Sequence, residues 1–190
     1  MPLSARIVAT LERLGLTENT LVVFTSDNGG YLDYAGGFEK ISDMGPLRGE
    51  KGTIYEGGHR VPAIVSWPGN IKPSVCHETA MTFDLFPTFA VLARTKAGSA
   101  TLDGIDLSDT LSGRAKLPER SLFWRMGSSK AVRNGSWKLC LQGTRPPELY
   151  DLAADISERN NLASARPEVL HQLKTALAAW EVDVDRGFDR

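Results

Sequence analysis

The chain has 190 residues, 42% hydrophobic and 24% charged, which is the composition of an ordinary globular protein and excludes a disordered or fibrous one. Its 22 Lys and Arg stand against 23 Asp and Glu, a formal charge of −1, so no field of one sign favours nucleic acid or an anionic lipid surface as partner. No stretch reaches the ~18 consecutive apolar residues of a membrane span, and Met1 to Arg6 leads into an amphipathic segment where an export signal has its apolar core.

In chain order, Ser4 caps a helix expected over Ala5 to Leu14, with Ile7, Val8, Leu11 and Leu14 on one stripe and Gly15 placed to stop it. Leu21 to Thr25 is a short continuous apolar run, the pattern of a strand buried on both faces as in a parallel α/β sheet. A second such run, Ala63 to Trp67, lies between Pro62 and Pro68-Gly69. The glycine-rich connection between them, about 35 residues long, is the kind of loop that carries function. Thr82 precedes a strongly apolar helix over Phe83 to Ala93, expected to be buried, and Leu102 to Gly113 reads as a loop with one helical turn. From Leu117 onward the pattern becomes antiparallel β, with strands Ser121 to Met126, Lys130 to Arg133 and Trp137 to Leu141, the last two joined by Asn134-Gly135. Glu148 to Asp151 adds a short fourth strand, and Pro167 opens a helix with Leu170, Leu173, Leu177 and Trp180 on one stripe.

Ligands of open α/β sheets gather at the carboxyl ends of strands, and Leu21 to Thr25 ends in Ser26-Asp27-Asn28-Gly29-Gly30. A carboxylate beside an amide carbonyl, on a turn eased by two glycines, offers hard oxygens of the kind Ca²⁺ or Mg²⁺ takes; the same residues also suit a plain Asx turn. Further on, Arg48 and Lys51 lie among glycines in Gly45 to Thr53, where a compact ammonium suits a tetrahedral oxyanion and a guanidinium adds a planar fork. The order G-x-x-x-x-G-K-[ST] is missing, so this is no P-loop. Glu56 and Arg60, four apart, form a candidate structural pair, and His59 is a candidate to touch substrate, whereas His77 and His171 read as ordinary surface or half-buried histidines. Cys76 and Cys140 form no metal-binding spacing and fix no compartment.

Taken together, Thr25-Ser26-Asp27-Asn28-Gly29, the run Leu47 to Pro62 and Trp67-Pro68-Gly69 closely resemble the second half of the sulfatase family. Phe83 to Thr88, Leu102 to Leu107, Ala131-Val132-Arg133 with Trp137-Lys138-Leu139, and Glu148 to Leu152 with Asn161-Leu162-Ala163 look like the family's later landmarks in order, so the resemblance spans residues 5 to 182. It implies an α/β chain of alkaline-phosphatase-like fold, truncated at the N-terminus. Residues 1–116 would be the C-terminal part of the catalytic domain, and 117–190 a small subdomain of antiparallel sheet and helix. By the same resemblance Asp27 and Asn28 are ligands of a divalent cation, usually calcium with magnesium as the alternative, and Lys51 binds the substrate sulfate. Arg48, Glu56 and Arg60 then shape the loop.

The family's substrates are sulfate esters, small molecules or sulfated carbohydrates, and its nucleophile is a formylglycine made from Cys or Ser in C/S-x-P-x-R. Neither Cys76 nor Cys140, nor any serine, has Pro and Arg at those offsets, so the nucleophile is not encoded here and the isolated chain is expected to be inactive. The alternatives are a metal-dependent phosphodiester or phosphonate hydrolase on the same scaffold, and an inactive fragment that needs a partner chain supplying a missing N-terminal half. The parent enzyme is expected to be periplasmic or secreted.

Overall fold

A computed structural model describes residues 3–34, 38–39, 41–95 and 101–186. In chain order the elements are α1 (Leu3–Arg13), β1 (Val22–Thr25), β2 (Asp33–Tyr34), β3 (Phe38–Glu39), α2 (Glu56–His59), β4 (Ala63–Ser66) and α3 (Leu85–Leu92). They continue with α4 (Ser108–Leu111), β5 (Ser121–Met126), β6 (Ser129–Asn134), β7 (Trp137–Gln142), β8 (Glu148–Asp151) and α5 (Pro167–Arg186). These divide into two compact units, one of residues 1–25 and 62–118, the other of 26–61 and 119–190. The glycine-rich connection 26–61 groups with residues 119–190 and not with the strands it joins in sequence.

In the first unit, α1 ends as its sequence demands. Gly15 takes φ 67, its N–H returns to the Glu12 carbonyl at 3.0 Å and the Leu16 N–H to Leu11 at 2.9 Å, the paired bonds of a Schellman stop. The two apolar runs do form strands, but β1 and β4 pair antiparallel, Val22 opposite Ser66 through Thr25 opposite Ala63, and not in the expected parallel sense. Nor are both faces buried: Phe24 and Ile64, opposite each other, are 57% and 62% exposed, with Val23 and Val65 half-buried on the other side. An apolar run shows that both faces suit burial, yet it carries no information on strand direction.

The helix expected to be buried is likewise turned outward. A 3-10 turn over Thr82–Asp84 leads into α3, which buries Thr88 and Ala90 while leaving Phe86 and Val91 about half exposed. The reason is polar. Asp84 is fully buried, its carboxylate accepting the Met81 N–H at 2.7 Å and the Ile105 N–H at 3.0 Å, and the Thr88 hydroxyl accepts the Leu107 N–H at 2.9 Å. Hydrogen bonds thus join the Phe83–Thr88 and Leu102–Leu107 segments on the polar stripe of α3, leaving its apolar stripe outside.

The second unit holds a four-stranded antiparallel sheet in the order β5-β6-β7-β8. Alternation assigns its two faces. Val132, Leu139 and Leu149 lie against Leu173 and Leu177 of α5, and Phe123 stacks on Trp180 with 5.0 Å between ring centres. Ala131 and Cys140, on the opposite face, receive Ile54 from the glycine-rich segment. The β6–β7 hairpin is one residue out from the expected turn: Asn134 pairs with Trp137, so the loop is Gly135-Ser136, with Gly135 at φ 56. Glycine at the first of two turn positions is what a II′-type hairpin requires.

Candidate functional site

The turn that follows β1 and the loop bearing Lys51 lie in one unit and are joined through the backbone. Lys51 N–H donates to the Gly30 carbonyl at 3.0 Å, and Gly29 N–H donates to the Gly58 carbonyl at 2.9 Å. The approach is so close that a Cβ on Gly29 would overlap the Gly57 carbonyl oxygen. Gly57 and Gly58 have no room either, the first lying on the carbonyls of Arg48 and Gly49, the second on that of Thr53. The short helix α2 is therefore a spine on which both the Asp27–Gly30 turn and the Arg48–Thr53 loop rest, and its two glycines are what allow the contact.

On this spine Asp27 and Lys51 are exposed and Asn28 is half-buried. The Ser26 hydroxyl donates to the Asn28 carbonyl at 2.9 Å and shapes the turn. The Lys51 ammonium lies 5.3 Å from the centre of the Tyr31 ring, and the Glu50 carboxylate accepts the Leu32 N–H at 2.6 Å. The Thr53 hydroxyl closes the loop onto the Glu50 carbonyl at 2.8 Å.

Arg48 and His59, candidates for substrate contact by sequence, both make contacts with the C-terminal sheet and its loops. Arg48 donates from one terminal nitrogen to Glu148 at 3.2 Å, to the Tyr150 hydroxyl at 2.7 Å and to the Glu158 carbonyl at 2.9 Å, and its guanidinium lies 3.8 Å from the centre of the Tyr55 ring. His59 stacks on Trp124 of β5 at 4.2 Å between ring centres. Glu56 and Arg60 do approach, at 3.5 Å, but Glu56 is fully buried and its nearest cation is Lys138 of β7, 2.9 Å away.

Lys138 is itself fully buried and has three neighbours for its three hydrogens: Glu56 Oε1 at 2.9 Å, Glu158 Oε1 at 2.9 Å in an ion pair of poor hydrogen-bond angle, and His59 Nε2 at 3.2 Å. Arg133 reaches the other Glu56 oxygen at 3.4 Å, and the Glu56 N–H donates to Glu158 Oε2 at 2.8 Å. Glu158 holds this position with a left-handed backbone, φ 52. Burial pushes the Glu56 carboxyl up, but Lys138, His59 and Arg133 outweigh it and its pKa ends below the usual value. For Glu158 burial prevails over Lys138 and the pKa is raised. Burial, with Lys138 adding to it, pulls His59 down to about 4, so the ring is neutral at physiological pH. Burial also raises the Cys140 thiol to about 12, leaving it inert.

Sequence reasoning missed Lys138, Arg133, Glu148, Tyr150, Glu158 and Trp124 as supports of this loop. The signal was present in the strands: Lys138, Cys140 and Gln142 alternate with Trp137, Leu139 and Leu141, so every second residue of β7 faces away from α5 and toward the loop.

Residues 4–95 match the sulfatase family model. The chain is 40% identical to human arylsulfatase A, over 88% of this chain and 39% of that protein. It is 35% identical to an N-acetylgalactosamine-6-O-sulfatase of Bacteroides thetaiotaomicron, over 90% of this chain and 38% of that protein. It thus spans about two fifths of the length of these curated relatives. Among solved structures, one from work on glycosaminoglycan metabolism by Bacteroides thetaiotaomicron superposes on 94% of this chain and 42% of its own, with TM-score 0.79 and 30% identity. A phosphonate monoester hydrolase of Agrobacterium radiobacter shares the fold at TM-score 0.62 and 23% identity, over 95% of this chain and 38% of its own. The fold is the alkaline-phosphatase-like one of the sulfatases, present here over part of its extent.

Proposed function

The chain belongs to the sulfatase family, and from that premise we propose that it is part of a sulfate ester hydrolase, the part that carries one pair of oxygen ligands for a hard cation and one cationic ligand for the sulfate. Its substrate in this reading is the sulfate ester of a small alcohol or a carbohydrate. The observation that carries it is the 3.0 Å bond from the Lys51 amide to Gly30, which ties the lysine's loop to the turn bearing Asp27 and Asn28.

The carboxylate of Asp27 and the amide oxygen of Asn28 fit Ca²⁺ or Mg²⁺ in donor chemistry. Among the described residues no group of three or more His, Cys, Asp or Glu is placed to hold a metal, so these two supply two or three of the roughly six to eight ligands calcium takes, and the others come from elsewhere. A cation held there supplies Lewis-acid stabilisation to the sulfate oxygens. Lys51 offers the same oxygens a mobile point charge from the neighbouring loop, where it is exposed.

The nucleophile in this reading is a formylglycine contributed by a polypeptide with the C/S-x-P-x-R motif, continuous with this chain or separate, since none of these 190 residues makes that motif. Phosphodiester or phosphonate hydrolysis has support at the level of fold alone.

Two measurements test the proposal. Titration of the chain with inorganic sulfate, followed by amide NMR, is expected to move Lys51 and its neighbours, and the shifts vanish in Lys51→Met. With added calcium, the chain is expected to leave a chromogenic aryl sulfate intact, a lost nucleophile costing on the order of 10⁶ in rate. It gains turnover when a sulfatase polypeptide bearing the motif is supplied. Turnover that survives Lys51→Met unchanged would overturn the assignment of that lysine.

A further inference from the structure

We propose that Lys138, on the far side of the C-terminal sheet from α5, is a positioning residue for the sulfate-binding loop, acting through Glu56. The inference rests on the reading of Lys51 as the sulfate ligand.

The loop has little of its own to hold it. Gly49 and Gly52 take φ 78 and 86, Lys51 and Gly52 are exposed, and the segment's internal bonds reach no further than Glu50 to Thr53. At its start Arg48 is tied to Glu148, Tyr150 and the Glu158 carbonyl, and beyond that the loop rests on α2, on whose glycines both Arg48-Gly49 and Gly29 are seated. A helix of four residues is far below the length that is stable alone in water. What fixes α2 is its first residue: the Glu56 carboxylate is held by Lys138 at 2.9 Å, and the Glu56 N–H by Glu158, itself paired with the same ammonium.

An unbroken chain of contacts therefore runs from β7 through Lys138, Glu56 and the Gly57-Gly58 pair to the turn of Asp27 on one side and the loop of Lys51 on the other. The arrangement is costly in ways a mere core does not need. Two carboxylates and one ammonium are withdrawn from water together, and Glu158 holds a left-handed backbone to join them. An apolar trio would fill the same space at no such cost, but an ammonium shared by Glu56 and Glu158 sets the register of α2 on the sheet, which apolar packing leaves loose.

The experiment is hydrogen exchange on the full chain, resolved by residue. In Lys138→Met the Lys51 and Gly29 amides are expected to exchange at least about tenfold faster, while Leu139 and Val132 in the sheet change less than about twofold. The sulfate-induced NMR shifts at Lys51 weaken in parallel. Glu56→Met is the second variant: it leaves Lys138 and Glu158 as a one-to-one pair and removes the side-chain tie of α2 to Lys138 while keeping the residue-56 N–H on Glu158, so it is expected to give the same local pattern with the sheet intact, and it decides the matter if Lys138→Met does not fold. Unchanged Lys51 exchange in the folded variants, or equal acceleration in loop and sheet, overturns the inference. Faster exchange at Lys51 in a chain that never responds to sulfate keeps the mechanical coupling and removes the functional reading of the lysine, so the two failures are distinct.

Discussion

Gly29 shows how narrowly the site is drawn. Its amide serves the Gly58 carbonyl and its α-carbon faces Gly57 with no space for a side chain. Gly29→Ala is expected to destabilise the second unit by about 2–3 kcal/mol or more, because the obstacle is backbone that cannot swing aside. Urea unfolding followed by tryptophan fluorescence measures it, and a cost under about 0.5 kcal/mol, the range of a neutral surface change, would show that the turn and α2 are not seated on each other. His59 sets a pH dependence. Its ring is held neutral with a pKa near 4 by burial and by Lys138, against 6.5 in the unfolded chain, so between those values the unfolded state binds the extra proton. Stability then falls as pH drops through that window, by roughly 3 kcal/mol in total. The depressed Glu56 adds loss at pH below the ordinary carboxylate value, and the raised Glu158, which takes up its proton above that value, opposes the His59 loss. Denaturant midpoints between pH 7 and 4 are expected to slope less in His59→Gln than in the parent chain.

At the scale of elements, α5 is the clearest case of sequence becoming structure. Leu173 and Leu177 recur at helical spacing and are 5% and 2% exposed against Val132, Leu139 and Leu149. Leu177→Ala is expected to cost about 2–5 kcal/mol, whereas Val182→Ala on the open side of the same helix stays within about 0.5 kcal/mol, as thermal unfolding of the two variants will report. The helix and the four strands were legible because each follows from a local pattern: a 3.6 or 2.0 period, or a proline. The direction of β1 against β4, the outward face of α3 and the partners of Glu56 were not. They depend on residues distant in sequence, and a period has nothing to say about which distant residue arrives. Arg48 is instructive: its bonds to Glu148 and Tyr150, a hundred residues away, leave no trace in the local pattern of its own loop.

Over the whole molecule, the two units differ in how well they cover themselves. The second encloses its core between sheet and helix. The first leaves Phe24, Ile64, Phe86 and Val91 each 49–62% exposed, with Phe24 and Ile64 side by side across β1 and β4. The isolated chain is expected to associate as its concentration rises, and Ile64→Thr with Phe86→Ser to reduce that association in sedimentation velocity without lowering the unfolding midpoint of the second unit. The second unit carries a different consequence, one that concerns the order of synthesis. The bonds from Glu56 to Lys138, from Arg48 to Glu148 and from Arg48 to Glu158 span 82, 100 and 110 positions along the chain. As the polypeptide leaves the ribosome, the Lys51 segment must wait until some hundred further residues have emerged. A premature stop before residue 138 therefore removes all three anchors of a site whose own codons were translated without error, and one between 149 and 157 still removes Glu158.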